Sequence, residues 1–348
     1  MTRFISRIFD CSVRLFCLML LISPLVLASC ASSSVQQVPT VFVPQKQAEF
    51  VQPGKASELV WAKGKFTEGP TIDSEGAVLF TDIPMNRIMR FDPRTGETKV
   101  WHENSGSANG LQITADGKLL VCEGADGGAR RVSLTDKNGK LTVVADRING
   151  KRFNSPNDVD VAPNGDIYFT DPRYTGDEPR ELDYEGVFVV RDGKVRVARS
   201  DIQRPNGILI SRDGKNAFCA DNNNRPNGNV TLEKFDINTK GEFVNKRTLF
   251  SFKTGQRGFD GMTFDAKGNI YATAGLGKDA GIYIFSPQGV HLAFIKVPDC
   301  PTNCTFAGPK NPNTLYYTAQ VLSETPGATP KSDTDTKVFG LYRIELKK

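Results

Sequence analysis

Histidine is scarce in this chain: His102 and His291 are the only two among 348 residues, and they lie far apart. That argues against a His-rich zinc site and leaves few partners for a Ser-His or Cys-His nucleophile. Long runs of one charge sign are also missing. The 44 basic and 39 acidic residues give +5, without the basic stripe of a nucleic-acid binder. No G-x-S-x-G elbow or P-loop occurs, and Gly124-Ala125-Asp126-Gly127-Gly128 reads as a flexible loop. After residue 55 no long amphipathic helix can be drawn. The composition itself is ordinary, 39% hydrophobic and 24% charged with 32 Gly and 20 Pro. It excludes a mainly disordered, collagen-like or disulfide-framework chain and allows one large domain or two smaller ones.

Residues 1–29 read as an export signal. Arg3, Arg7 and Arg14 precede the apolar run 15–22, which Pro24 interrupts, so the run is too short and broken to span a membrane. Leu27-Ala28-Ser29-Cys30 resembles a bacterial lipobox, with Cys30 as the lipidated first residue of the mature chain. Ordinary cleavage near Ala31 is the alternative. Either reading predicts an exported protein, periplasmic or anchored to the outer membrane, touching the membrane only through a lipid at Cys30. Residues 30–55 are expected to be a tether, with Val41-Phe42-Val43 as an edge strand, and 56–348 the folded domain. Of seven cysteines, Cys300 and Cys304 are close enough to suggest a local disulfide, while Cys122 and Cys219 lie in apolar strands as buried thiols.

The informative feature is a repeat. Segments 72–83, 113–124, 161–172, 210–221, 264–275 and 306–320 each hold a short strand, a turn with Gly or Asn, and an apolar strand. The second strand of each ends in a small residue: Thr81, Cys122, Thr170, Cys219, Thr273 or Thr318. Glycines 76, 117, 165, 214 and 268 are spaced by 41, 48, 49 and 54 residues, a period that holds four short strands. That is one propeller blade, and six copies predict an all-β, six-bladed β-propeller. Closure is expected to pair strand 339–344 with a segment near 59–62 in one blade.

Eight residues before each turn glycine stand Glu68, Asn109, Asn157, Asn206 and Asp260; in the sixth copy an insertion brings Thr302 or Asn303 near that slot. All five are oxygen donors at the entry to the innermost strand, so rotation about the axis would gather them at the channel mouth. Asn109-Gly110, Asn206-Gly207 and Asp260-Gly261 could be mere turn dipeptides. Glu68-Gly69-Pro70 and Asn157-Asp158-Val159 are poor hairpin turns in the same slot, which favours an axial site. Two carboxylates packed with amides would repel one another without a cation. Oxygen-only donors favour Ca²⁺, Mg²⁺ or Mn²⁺ over zinc, and Ca²⁺ suits the mixed set best, with Mg²⁺, Mn²⁺ or Zn²⁺ as alternatives.

Through these residues the sequence resembles the senescence marker protein, gluconolactonase and luciferin-regenerating enzyme family. The matching segments run from about residue 60 to 345. They include Phe66-Thr67-Glu68-Gly69-Pro70, Ala108-Asn109-Gly110-Leu111, Asn154-Ser155-Pro156-Asn157-Asp158-Val159, Pro205-Asn206-Gly207-Ile208 and Phe259-Asp260-Gly261-Met262. The resemblance implies a propeller with one catalytic divalent cation on Glu68, Asn206 and Asp260. Asn157 would bind that metal, substrate or water, and Asn109, Glu123 and Arg131 would orient substrate. Glu123 could instead simply pair with Arg130 or Arg131. The charged segment 173–185 is expected to be a lid over the substrate.

The reaction so implied is hydrolysis of a small-molecule lactone, a sugar lactone in the manner of bacterial gluconolactonases. Asp260 is the expected general base and Asn157 a positioning group, with a metal-bound hydroxide as the competing base. Two other functions fit the same fold: hydrolysis of organophosphates or other esters on the same cation, and ligand binding without catalysis.

Overall fold

Strands in this protein are apolar on both faces rather than alternating, because each sheet is sandwiched between two others. In blade 1, Val78 and Phe80 face the sixth blade while the intervening Leu79 faces the second. Period-2 geometry sends neighbouring side chains to opposite faces, so a strand buried on both sides must be apolar throughout. The computed structural model describes residues 36–37, 46–322 and 337–347, all within one compact unit, Val35–Lys348. Residues 1–30 and Val41-Phe42-Val43 lie outside the described residues.

Six four-stranded antiparallel sheets form the blades of a propeller. Their innermost strands are Thr67–Ile72, Ala108–Ile113, Val159–Val161, Pro205–Ile210, Phe259–Phe264 and Asp299–Phe306, for blades 1 to 6 in order. Each inner strand touches the next, and the sixth touches the first, closing a ring about a central channel. Six apolar clusters fill the six seams between blades. The seam between blades 4 and 5 is the most aromatic, with Phe218, Phe250, Phe259, Tyr283 and Phe285 buried together.

The expected closure is present. Strand Glu58–Gly64 is the outermost strand of blade 6, whose other three strands come from the end of the chain. Leu59 pairs with Tyr342 and Trp61 with Leu341. The expected tether is in part folded onto the domain. Gln36–Gln37 adds a short parallel strand to the outer edge of blade 4, and Val51 is buried and bridges Leu346. The domain boundary therefore moves ahead of residue 56.

The small residues that end the repeated hairpins have a structural task. Thr81 Oγ1 donates to the Asn109 carbonyl of blade 2 (3.0 Å), and Thr273 Oγ1 to the Thr302 carbonyl of blade 6 (2.8 Å). Thr302 Oγ1 in turn donates to the Thr67 carbonyl of blade 1 (2.8 Å), stitching the seam where the ring closes.

The expected disulfide between Cys300 and Cys304 is not formed; both thiols are free and buried, as are Cys122 and Cys219. The pair lies on one extended strand, where four residues at about 3.3 Å each exceed the Cα separation that a disulfide spans. Cys304 instead packs in the seam between blades 5 and 6, with its Sγ 3.3 Å from the Tyr271 carbonyl.

Replacing Thr302 by Val keeps the shape and removes the closing hydrogen bond to Thr67. A loss of about 1–3 kcal/mol is expected in urea unfolding, the cost of a buried carbonyl left without its donor.

Candidate active site

The five expected donors do converge. Glu68, Asn109, Asn157, Asn206 and Asp260 all line one cavity of about 730 Å³ at the mouth of the channel. Glu68 and Asp260 are each 5% exposed, so both carboxylates are taken out of water together. A smaller cavity of about 360 Å³ opens further along the inner strands and is lined by Asp158, Asp160 and Asn303 among others. None of the five donors reaches it.

The backbone explains the convergence. The Asn-Gly and Asp-Gly pairs are not hairpin turns; they sit in the inner strands at irregularities of register, such as those between Pro205 and Ile208 and between Phe259 and Met262. A glycine follows the donor because the next blade leaves no room. A Cβ on Gly110 would stand 2.6 Å from the Asn157 carbonyl oxygen, and one on Gly207 would run into the Asp260 carbonyl. In blade 3 the following residue is Asp158, whose carboxylate bridges blades by accepting from the Ile208 amide (3.2 Å).

The segments leading into these strands are latched from below by buried aspartates. Asp82 accepts from the amides of Lys65 and Phe66, Asp171 from Asn154 and Ser155, and Asp221 from Gln203 and Arg204, at 2.7–3.2 Å. Each latch fixes the backbone two or three residues ahead of a donor.

Electrostatically the site is strained toward a cation. Burial first, then the neighbouring Asp260, pushes the Glu68 carboxyl well above the usual carboxylate range. Burial also raises Asp260, to about 6, against the opposing pull of Arg257 and a hydrogen bond from Asn206. Among the described residues no three His, Cys, Asp or Glu gather as a metal cluster. The donor set is instead two carboxylates with amide oxygens, which fits a hard, oxygen-preferring ion such as Ca²⁺.

Two residues of the site were not expected from the repeat. Arg257, from the loop ahead of the blade 5 inner strand, pairs with the Asp260 carboxylate and donates to the Pro301 carbonyl (2.8 Å). It takes the side of the ring that Thr302 and Asn303 leave open: Thr302 is fully buried in the closing seam and Asn303 faces the smaller cavity. Tyr174, in the expected lid, accepts from the Asn206 amide (3.2 Å) and donates to the Asn222 carbonyl (3.3 Å), with Arg204 stacked on its ring. Tyr174 and Thr175 line the cavity, while Arg173 and Leu182 are buried and pin the segment to blades 2 and 3. No offset from a turn glycine marks Arg257 or Tyr174; only the charge of segment 173–185 pointed toward the second.

Glu123 and Arg131 stand apart from the other expected site residues. They do not line the cavity; Arg131 Nε donates to Glu123 Oε2 at 2.9 Å, and Glu123 is 2% exposed beneath the Gly106 backbone. The bland pairing with Arg131 is the observed one.

A buried oxygen-donor ring at the hub of a six-bladed propeller defines the class of protein. Residues 66–321 match the profile of the SMP-30/gluconolactonase/LRE-like region, and the chain belongs to that family. It is 33% identical to a gluconolactonase of Zymomonas mobilis, with 76% of this chain and 77% of the relative aligned. A solved gluconolactonase of Xanthomonas campestris superposes with a TM-score of 0.72 at 21% identity, covering 90% of this chain and 99% of that one. A calcium-binding regucalcin of Agrobacterium tumefaciens superposes at 0.63 with 22% identity, covering 84% and 95%.

The latches predict a pH response. Burial raises Asp171 to about 7 and also raises Asp221, both above their unfolded values, despite the backbone amides that favour the charged forms. For Asp171 between about pH 4 and pH 7 the folded chain holds a proton that the unfolded chain has released. The sign is therefore a fall in stability as pH rises through that window. Thermal midpoints of chelator-treated protein measured from pH 5 to 8 should decline.

Proposed function

We propose that this protein is a divalent-cation-dependent hydrolase that opens a lactone, a sugar lactone or close analogue, to the hydroxy acid. The observation that carries the reading is the joint burial of Glu68 and Asp260 among three amides in one cavity. Kinship with a gluconolactonase agrees with it. Glu68, Asn157, Asn206 and Asp260 would hold the cation, Ca²⁺ suiting them best. Such an ion, when bound, supplies polarisation of the lactone carbonyl and stabilisation of the developing oxyanion.

The chain's own groups do the rest. Asp260 takes a proton from the water that attacks the carbonyl carbon, and burial, which raises its carboxyl to about 6, brings that base closer to neutral pH than an ordinary aspartate. As the ring C–O bond breaks, the same proton passes to the leaving alkoxide. Asn109 and Asn157 orient the ring and the water. Tyr174, through Asn206, holds one wall of the donor set in place. Export, with lipid at Cys30, is proposed on residues 1–30 alone.

Asp260→Asn should lower kcat by about 10²–10⁴ on a lactone that the wild type opens, in keeping with loss of a general base. Calorimetry would report whether cation binding survives; near wild-type turnover with the cation retained would remove Asp260 as the base. Chelation should abolish activity and added Ca²⁺ restore it. Activity that persists after complete metal removal contradicts the mechanism.

Arg257 sets a second expectation. Its guanidinium shares Asp260 with any incoming cation and repels it. Arg257→Gln should bind Ca²⁺ at least about tenfold more tightly by calorimetry at pH 8, on that Coulomb argument.

A further inference from the structure

The cavity has two chemically different sides. Blades 2, 3 and 4 line it with polar groups, Asn109, Ser155, Asn157, Thr175, Asn206 and Asn222. Above the carboxylates, blades 1 and 5 line it with Phe66, Ile83, Pro84 and Leu276, with Asn86 and Arg257 as the polar groups beside them. Leu276 is 47% exposed, and Met85, next to Pro84, is 43% exposed. This apolar wall is built rather than loose. Ile83 N donates to the Phe66 carbonyl (3.1 Å), the Phe66 ring packs on Phe339 at 4.7 Å, and Asp279 N donates to the Leu276 carbonyl (3.0 Å).

We infer that the substrate is an amphipathic lactone: its polar ring faces blades 2 to 4, and a non-polar substituent of several carbons lies on the wall formed by blades 1 and 5. The inference rests on the lactone-hydrolase reading above and narrows its substrate from a bare sugar lactone to a lactone carrying a non-polar substituent. A bare polyhydroxy lactone would turn hydroxyls toward Phe66, Ile83, Pro84 and Leu276, whose side chains offer no hydrogen bond, leaving only Asn86 and Arg257 to partner them as they lose solvation. A cavity of about 730 Å³ also lies in the range that takes drug-sized ligands, well above the needs of one six-membered ring. An apolar substituent fills the remaining space and covers side chains that otherwise face water.

The test uses the full chain loaded with Ca²⁺ and a series of δ-lactones carrying hydrogen, methyl, propyl, pentyl or heptyl beside the ring oxygen. The matching alkyl δ-lactams, which resist hydrolysis, are titrated by calorimetry. We expect kcat/KM and lactam affinity to rise by about threefold per methylene through pentyl, as for burial of methylenes from water. In Leu276→Asn and Ile83→Asn the rise should flatten, with the thermal midpoint of each variant confirming its fold. Lactones opened with a flat or falling dependence on chain length overturn the inference and leave the hydrolase reading standing. Lactam affinity that climbs with chain length while no lactone is opened supports the apolar wall and overturns the hydrolase reading. Neither response overturns both.

Discussion

The close approach of six inner strands around one axis is the constraint from which the rest follows. Where the Gly207 Cα lies against the Asp260 carbonyl, no side chain fits, and the donor just ahead of the glycine is driven to the channel mouth. The same crowding strips water from Glu68 and Asp260. Two dehydrated carboxylates in one cavity cannot both be charged without compensation. In the chain itself Arg257 provides part of that compensation through an ion pair with Asp260, while among the described residues the Glu68 carboxylate accepts a hydrogen bond from the Gly69 amide at 3.0 Å and feels Arg257 only at a distance. The imbalance is what makes a cation at this place physically reasonable, and it puts the greater need on the Glu68 side.

One repeat unit carries several tasks at fixed offsets. Thr81 and Thr273, at the ends of second strands, stitch to the next blade, and the aspartates of Thr81-Asp82 and Thr170-Asp171 latch the incoming loops. The donor then stands at the start of the inner strand. Packing, latch and donor are thus coupled: a shift of the latch moves the donor, and the apolar seams fix both. Positioning the site is a property of the whole wheel rather than of any loop, which agrees with the tolerance of catalytic geometry for only small displacements.

Features tied to that offset are legible in the sequence. Blade number, the closing strands and the five converging donors all follow from a period of four strands and a common count back from the turn glycine. Features that break the repeat are not. Arg257 precedes its strand by no shared interval, and Tyr174 sits in an insertion whose charge was visible but whose path was not. Glu123 and Arg131 follow the resemblance in sequence, yet a strand pairing of Glu123 with Arg131 brings their side chains together beneath the Gly106 loop. The Cys300–Cys304 disulfide failed because proximity in sequence becomes distance along an extended strand. The tether misled for the opposite reason: a segment without periodicity, 47–51, is held by one buried valine and a backbone bridge.

A sixfold wheel with a sixfold hub would have no direction, and chemistry on a carbonyl needs one. Direction comes from the unequal blades. Blade 6 gives no donor and leaves its side to Arg257; blade 3 has Asp158 in place of glycine and ties itself to blade 4 through the Ile208 amide. Blades 1 and 5 supply the carboxylates, whereas blades 2 to 4 supply amides. The two buried carboxylates, with Arg257 beside them, therefore lie on one side of the axis and the buried amides on the other. A polar ring entering such a cavity meets a gradient that orients it before any bond changes, and that orientation is the part of catalysis which a fold can prepare in advance.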